Sequence, residues 1–235
     1  MNKLIYLSFH NKYFDRVILN KRKEMIKIIK NELNKDNIES CLDIGSSSDT
    51  KNKSTNYIIK NLNMGKINKS ITNQNINDTF FDDVLIKSIT EDLTKEQINK
   101  FNSDLVISSA TIEHVGSNAK QLQMIKNMAS LTNKYLVITT PNKFYPLEFH
   151  TKIPFLHLLP VNIYRSLLKF LNYEFYAKEE NLNLLSQKEI LNLLHLSNIE
   201  DKFLIKIKFI KLFFLKSNFI VICKKKTNHL KRVKN

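Results

Sequence analysis

The sequence predicts an α/β fold: a mostly parallel seven-stranded sheet with helices on both faces, an antiparallel C-terminal strand pair and an inserted lid after strand five. Three observations carry this expectation. Short apolar runs ending in small polar residues, ESCLDIGSSSD (39–49), FNSDLVISSATIEHVG (101–116) and KYLVITTPN (134–142), alternate with segments of helical period, and that alternation implies right-handed βαβ units. All four prolines, Pro141, Pro146, Pro154 and Pro160, crowd into one short stretch among aromatics and histidines, which no simple βα unit needs. The run FLIKIKFIKLFFLKSNFIVIC (203–223) is broken by Lys206, Lys208, Lys211 and Lys216, and so reads as two strands.

The elements follow in order. Residues 13–33 place Phe14, Val17, Ile18, Met25, Ile28, Ile29 and Leu33 on one face of an amphipathic helix, an N-terminal extension over 1–37. Residues 39–44 make the first strand and end in Asp43-Ile44-Gly45. Ser54 then caps a helix over 55–63 that turns Tyr57, Ile58 and Leu62 inward, with Met64-Gly65 as its stop. Strands two and three fall at 67–72 and within 82–89. Thr94-Lys95-Glu96-Gln97 is a capping box opening a helix over 95–101. Asp104 to Ser109 forms strand four, Ser117 caps a helix carrying Leu122, Ile125, Met128, Ala129 and Leu131, and Tyr135 to Thr140 forms strand five. The lid covers 142–185, with a helix near 161–171. A second capping box, Ser186-Gln187-Lys188-Glu189, opens the helix that precedes the two closing strands near 203–211 and 213–223. Nothing splits the chain: one domain is expected, with its ligand-binding core over 38–141, a closing part over 186–223 and a basic tail over 224–235.

Composition narrows the partners. A hydrophobic fraction of 43% supports a sizeable core. Cys41 and Cys223 lie far apart inside apolar runs, which is neither a disulfide nor a zinc framework and fits a reducing cytoplasm. The net charge of +15 is diffuse, because Lys, Asn and Ile are over-used throughout while Gly is held to 3 and Trp is absent. Nucleic acid is therefore not the expected partner. Only KKKTNHLKRVKN (224–235) concentrates charge, as a solvated terminus or as a contact with an anionic membrane surface. No signal peptide is evident, and no window reaches the roughly 18 apolar residues of a membrane span. The expectation is a soluble, cytoplasmic protein.

A sharp turn after a parallel strand brings backbone amides toward a ligand at the carboxyl edge of the sheet. Asp43-Ile44-Gly45 in that position resembles the nucleotide-binding turn of class I S-adenosylmethionine-dependent methyltransferases. DLVISSATIEHVG (104–116) resembles the fourth-strand motif of the type-11 methyltransferase domain family, and the likeness spans about 38–145. TTPN (139–142), followed by YPLEFHT (145–151) and PFLHLLP (154–160), resembles a narrower subgroup of that family.

The resemblance implies a Rossmann-like fold, S-adenosyl-L-methionine as cofactor and methyl transfer to a small-molecule, glycan or lipid-linked acceptor at oxygen or nitrogen. It places Asp43, Gly45, Ser46 and Ser47 in the cofactor turn, although the family's later glycines are Ser47 and Asp49 here. Serines there are small and can donate to the methionine carboxylate. Asn73 falls where the family expects a ribose-binding carboxylate, and Ser109 and Ala110 fall where its backbone meets the cofactor. His114 is the candidate catalytic residue, as general base or orienting donor. The other reading is that Glu113 and His114 shape the loop. A related group of O-methyltransferases holds a divalent ion with acidic residues around the same Glu-His pair. The earlier acidic position is Ala110 here, so no metal site is expected. In the lid, Tyr145, His150 and His157 are candidate acceptor residues, against a bland reading as lid core.

A methyltransferase-like binding protein without catalysis is the main alternative, and an RNA methyltransferase a further one. A nicotinamide dehydrogenase is not expected, because the turn lacks Gly-x-Gly-x-x-Gly.

Overall fold

The computed structural model describes residues 3–33, 36–49 and 54–227, with the side chains of the first helix described from Asp15 onward. The proposed contact of the basic tail therefore falls mostly on residues 228–235, outside the described residues, as does the side chain of Phe14. The strands are β1 (Ser40–Ile44), β2 (Ile67–Thr72), β3 (Asp83–Ile86), β4 (Ser103–Ser109), β5 (Thr132–Pro141), β6 (Phe203–Leu212) and β7 (Leu215–Lys225). They form one seven-stranded sheet in the order β3-β2-β1-β4-β5-β7-β6. The pairs among β1 to β5 are parallel, while β7 runs antiparallel to both β5 and β6. The strand order reverses between β1 and β4, which makes a crevice at their carboxyl ends, the place where open α/β sheets bind ligands.

The apolar runs are continuous because both faces of the sheet are covered. Leu42, Val106, Leu136 and Ile138 pack against Met124, Ile125 and Met128 of α4 (Asn118–Leu131) and Ile190 and Leu194 of α6 (Gln187–Leu196). Their neighbours Cys41, Leu105, Ile107 and Val137 point the other way. They meet Met25, Ile29 and Leu33 of α1 (Lys3–Leu33) and Ile58 and Leu62 of α2 (Tyr57–Leu62). Period-two alternation divides one run between two cores. Cys41 and Cys223 are buried and free, and burial pushes each thiol up to about 12, so neither is a nucleophile at neutral pH.

Both capping boxes form, Thr94 with Gln97 at α3 (Lys95–Phe101) and Ser186 with Glu189 at α6. Ser54 is not the cap of α2. That helix starts at Tyr57 behind Asn56, whose φ is +51 and whose carboxamide is engaged elsewhere. Its stop is Asn63, with φ +48, one residue before Met64-Gly65. Gly65 is needed for packing instead, since a Cβ there would lie 2.8 Å from the Cys41 sulfur. The N-terminal helix is longer than its apolar period suggests and begins at Lys3.

The two ends of the lid are tied to each other by a bridge between Asn142 and Leu185. It contains α5 (Val161–Phe170) and a small core of Tyr164, Leu168 and Ala177. No helix among the described residues is long and apolar enough to cross a membrane.

Candidate active site at the strand tips

The turn after β1 depends on Gly45 for two reasons. Its φ is +88, and a Cβ would stand 2.4 Å from Cγ2 of Thr111 in the loop after β4. Its amide donates to the Ile71 carbonyl at 2.9 Å, which ties the turn to β2. Ser46 turns inward: its hydroxyl donates to Asp43 and accepts from Ser70 at 2.8 Å, while its carbonyl accepts from the Thr72 hydroxyl at 2.7 Å. The one proton of Ser46 is thus spent inside the fold, leaving none for a ligand carboxylate. Asn56 closes the turn, accepting from the Ser47 amide at 2.9 Å and donating to the Ser47 carbonyl at 3.0 Å. A side-chain amide does here what further glycines would do with backbone, a role that sequence reasoning missed.

Asp43 is buried, and desolvation raises its carboxyl to about 6 despite the Ser46 hydroxyl and the charge of Arg22. Arg22, on α1, is the second residue missed. Burial lowers its pKa, while the charges of Glu113 and Asp43 pull it the other way. The helical period of α1 showed its apolar face but not that this arginine, at the edge of that face, reaches the strand tips.

At the tip of β4, Ala110 has φ +54 and its amide donates to the Thr139 carbonyl at 2.8 Å. Glu113 is fully buried. Its Oε2 accepts from the Thr140 hydroxyl at 2.9 Å, and its Oε1 has no hydrogen-bond partner among the described residues. His114 Nδ1 lies 2.6 Å from the Asn181 carbonyl, and its Nε2 lies 2.9 Å from Nε2 of His150. His150 Nδ1 in turn lies 2.5 Å from Oε1 of Glu148.

Burial works to raise Glu148, but the hydrogen bond and charge of His150 and the amides of His150 and Thr151 outweigh it and hold the carboxyl at about 2. Burial works to lower His150, and Glu148 and Glu113 overcome it, so its pKa rises. A carbonyl only accepts, so Nδ1 of His114 carries a proton. An ionised carboxylate only accepts, so Nδ1 of His150 carries one too. The 2.9 Å contact between the two Nε2 atoms is that of one shared proton.

The expectation of no metal site counted only residues around the Glu-His pair. The lid also brings His150 to Glu113 and His114, with one ligand atom of each within 4.8 Å of the others.

Two cavities meet here. One of about 530 Å³ is lined by Gly45, Asn73, Ser88, Ala110, His114 and His150, among others. A volume between roughly 300 and 1,000 Å³ is ordinary for a small-molecule site. The other, of about 240 Å³, is lined by Arg22, Met25, Ser109, Thr140, Phe149 and Asn218, and again by Ala110 and His150. Asp43 and Ser47 line a recess of about 200 Å³ beside them, with Arg22 and Ala110.

Tyr145 and His157 are placed differently. Tyr145 is buried and stacks on Phe149 at 5.4 Å, and its carbonyl accepts from Nε2 of buried His157 at 2.9 Å. Burial lowers the pKa of His157. The two brace the lid behind Phe149 and line neither of the two meeting cavities.

No protein-family model matches the chain, and no curated protein matches it. Solved structures do. The plantazolicin methyltransferase BpumL in complex with SAH superposes with a TM-score of 0.57 at 10% identity, over 95% of this chain and 90% of that one. Magnesium protoporphyrin IX methyltransferase (ChlM) from Synechocystis PCC 6803 with bound SAH gives 0.53 at 12% identity, over 96% and 89%. The N-methyltransferase NodS from Bradyrhizobium japonicum WM9 in complex with S-adenosyl-L-homocysteine gives 0.50 at 8% identity, over 88% and 87%. At such identities the likeness is one of fold, and the fold is the Rossmann-like one of these methyltransferases.

Proposed function

We propose that the protein transfers a methyl group from S-adenosyl-L-methionine to a small-molecule, glycan or lipid-linked acceptor, at oxygen or nitrogen. The observation that carries this reading is the meeting of a cofactor-sized cavity and a second cavity at Ala110 and His150. When bound, the cofactor supplies a methyl group already activated on a sulfonium, which leaves by in-line displacement. The chain's own task is then alignment, with reacting atoms about 3 Å apart.

Gly45, Asn73 and Ala110 line the larger cavity and would hold the cofactor from the strand tips, and Ser88 extends that wall beyond Asn73. Ser47 and Asp43 belong to the adjoining recess, with Ser109. Asn73 offers an amide where a carboxylate would make the stronger, charge-assisted bond, so the binding is expected to be weaker. His114 and His150 orient the acceptor from the junction, held by Asn181 and Glu148 behind them. Arg22 and Phe149 line the acceptor side, with Tyr145 and His157 supporting Phe149 rather than touching the acceptor. The fourth-strand and TTPN stretches support a place beside the type-11 methyltransferase domains. The two buried free thiols support a cytoplasmic setting.

The test is binding. S-adenosylhomocysteine at one hundred times its Kd raises stability by roughly 2.7 kcal/mol, visible as a higher Tm. Gly45→Val removes that rise. No rise at millimolar ligand overturns the reading in favour of a methyltransferase-like protein without catalysis.

A further inference from the structure

We propose that Glu113, His114 and His150 form a binding site for one divalent transition-metal ion of the zinc, cobalt and manganese class. The two imidazoles meet through Nε2 at 2.9 Å, and behind each the Nδ1 is engaged by an acceptor, the Asn181 carbonyl for His114 and the Glu148 carboxylate for His150. That is the arrangement by which metal-ligating histidines are held: one nitrogen hydrogen-bonded to a carbonyl or carboxylate, the other turned to the ion. Bonds of about 2.1 Å put two ligand nitrogens roughly 3.0 Å apart at the right angle of an octahedral ion, close to the separation found, whereas a tetrahedral ion would hold them about 3.4 Å apart.

The third donor is Oε1 of Glu113, on a fully buried residue and without a hydrogen-bond partner among the described residues, while Thr140 steadies the other oxygen. A buried carboxylate oxygen is costly to leave unpaired, and an ion would satisfy it. Two imidazoles and one carboxylate suit a first-row transition ion and leave coordination positions open. These positions face the cavities, since His114 lines one and His150 lines both. The site does not need an acidic residue at Ala110. The ligand that completes the set beside Glu113 and His114 is His150, from the lid.

Resting on the methyl-transfer reading, the site also names the acceptor class, a hydroxyl compound. The hydroxyl bound at an open position gives its proton to water, its oxygen pair forms the bond to the methyl carbon, and the carbon–sulfur pair stays on sulfur.

Cobalt(II) is the probe. Full-length protein stripped with a chelator and dialysed is titrated with Co²⁺, followed by calorimetry and by visible absorption. One equivalent per chain is expected. His150→Ala and Glu113→Gln abolish uptake, and Glu148→Gln weakens it about 10- to 100-fold. A single cooperative thermal transition reports the folding of each variant independently of the ion and of any ligand. Two results overturn the proposal: no uptake by the folded parent, and uptake unchanged in both His150→Ala and Glu113→Gln. Uptake of one equivalent lost in those variants, without any rise from S-adenosylhomocysteine in the parent, upholds the metal site and overturns methyl transfer instead.

Discussion

Nε2 of His150 lies 2.9 Å from Nε2 of His114, although the two are 36 positions apart in the chain. The whole of α4 and β5 intervenes between them. The pair sits at the tips of β4 and β5, at the boundary between the larger cavity and the lid, and each ring is oriented by an acceptor that the other does not touch. The consequences for the site and for the fold can be measured.

Gly45→Ala adds a Cβ 2.4 Å from Thr111 at a φ of +88. A non-glycine residue held in a sparsely populated backbone region costs about 1–3 kcal/mol. For a chain of this size that lowers Tm by at least about 2–4 °C. Thermal unfolding with and without S-adenosylhomocysteine should show both the lower Tm and loss of the ligand-induced rise.

Asp43→Asn keeps the acceptor for Ser46 but removes a buried charge. The folded carboxyl titrates at about 6, above an unfolded value of about 3.9. The folded state therefore holds the proton more tightly. That contribution to stability is fully present below about pH 4 and is lost as pH rises through about 6. The variant has no such loss. The Tm of the variant minus that of the parent should climb between pH 4 and 6 and level off above, and a flat difference would contradict the buried position.

Thr140→Val preserves shape and deletes the only hydrogen bond that the Glu113 carboxylate makes among the described residues, where its other oxygen has no partner. An unsatisfied buried group of this kind costs about 1–3 kcal/mol. Chemical denaturation should show that loss with an unchanged m-value.

Ser186→Ala removes the hydroxyl that accepts from the Glu189 amide at 3.3 Å and breaks the capping box of α6. The expected loss is about 0.5–2 kcal/mol. Because α6 packs in the core below the sheet, far in sequence from Gly45 and His114, the ligand-induced Tm rise should survive.

The order of strands and helices was legible because each apolar run is continuous over a strand's length and each helix carries its own period or capping box. Thr94-Gln97 and Ser186-Glu189 needed only neighbours three residues apart, and both formed as read. Ser54 failed for an equally local reason: Asn56 accommodates a left-handed φ and makes the turn that starts α2, while its carboxamide binds Ser47. The site was half legible. Gly45, Asn73 and Ala110 sit at strand ends, and parallel strands deliver their ends to one edge whatever the rest of the chain does.

The sequence by itself determined the α/β class, the position of the turn after β1 and the existence of a proline-rich insert after β5, since these rest on short-range period, backbone freedom and hydrogen bonding. Only the tertiary structure decided that Ser46 spends its proton on Asp43, that Arg22 reaches the strand tips from α1, and that His150 rather than Tyr145 or His157 meets His114. Those outcomes depend on contacts between segments tens of residues apart. No local pattern encodes which side of a lid residue will face the sheet; packing of the whole lid against β4 and β5 does.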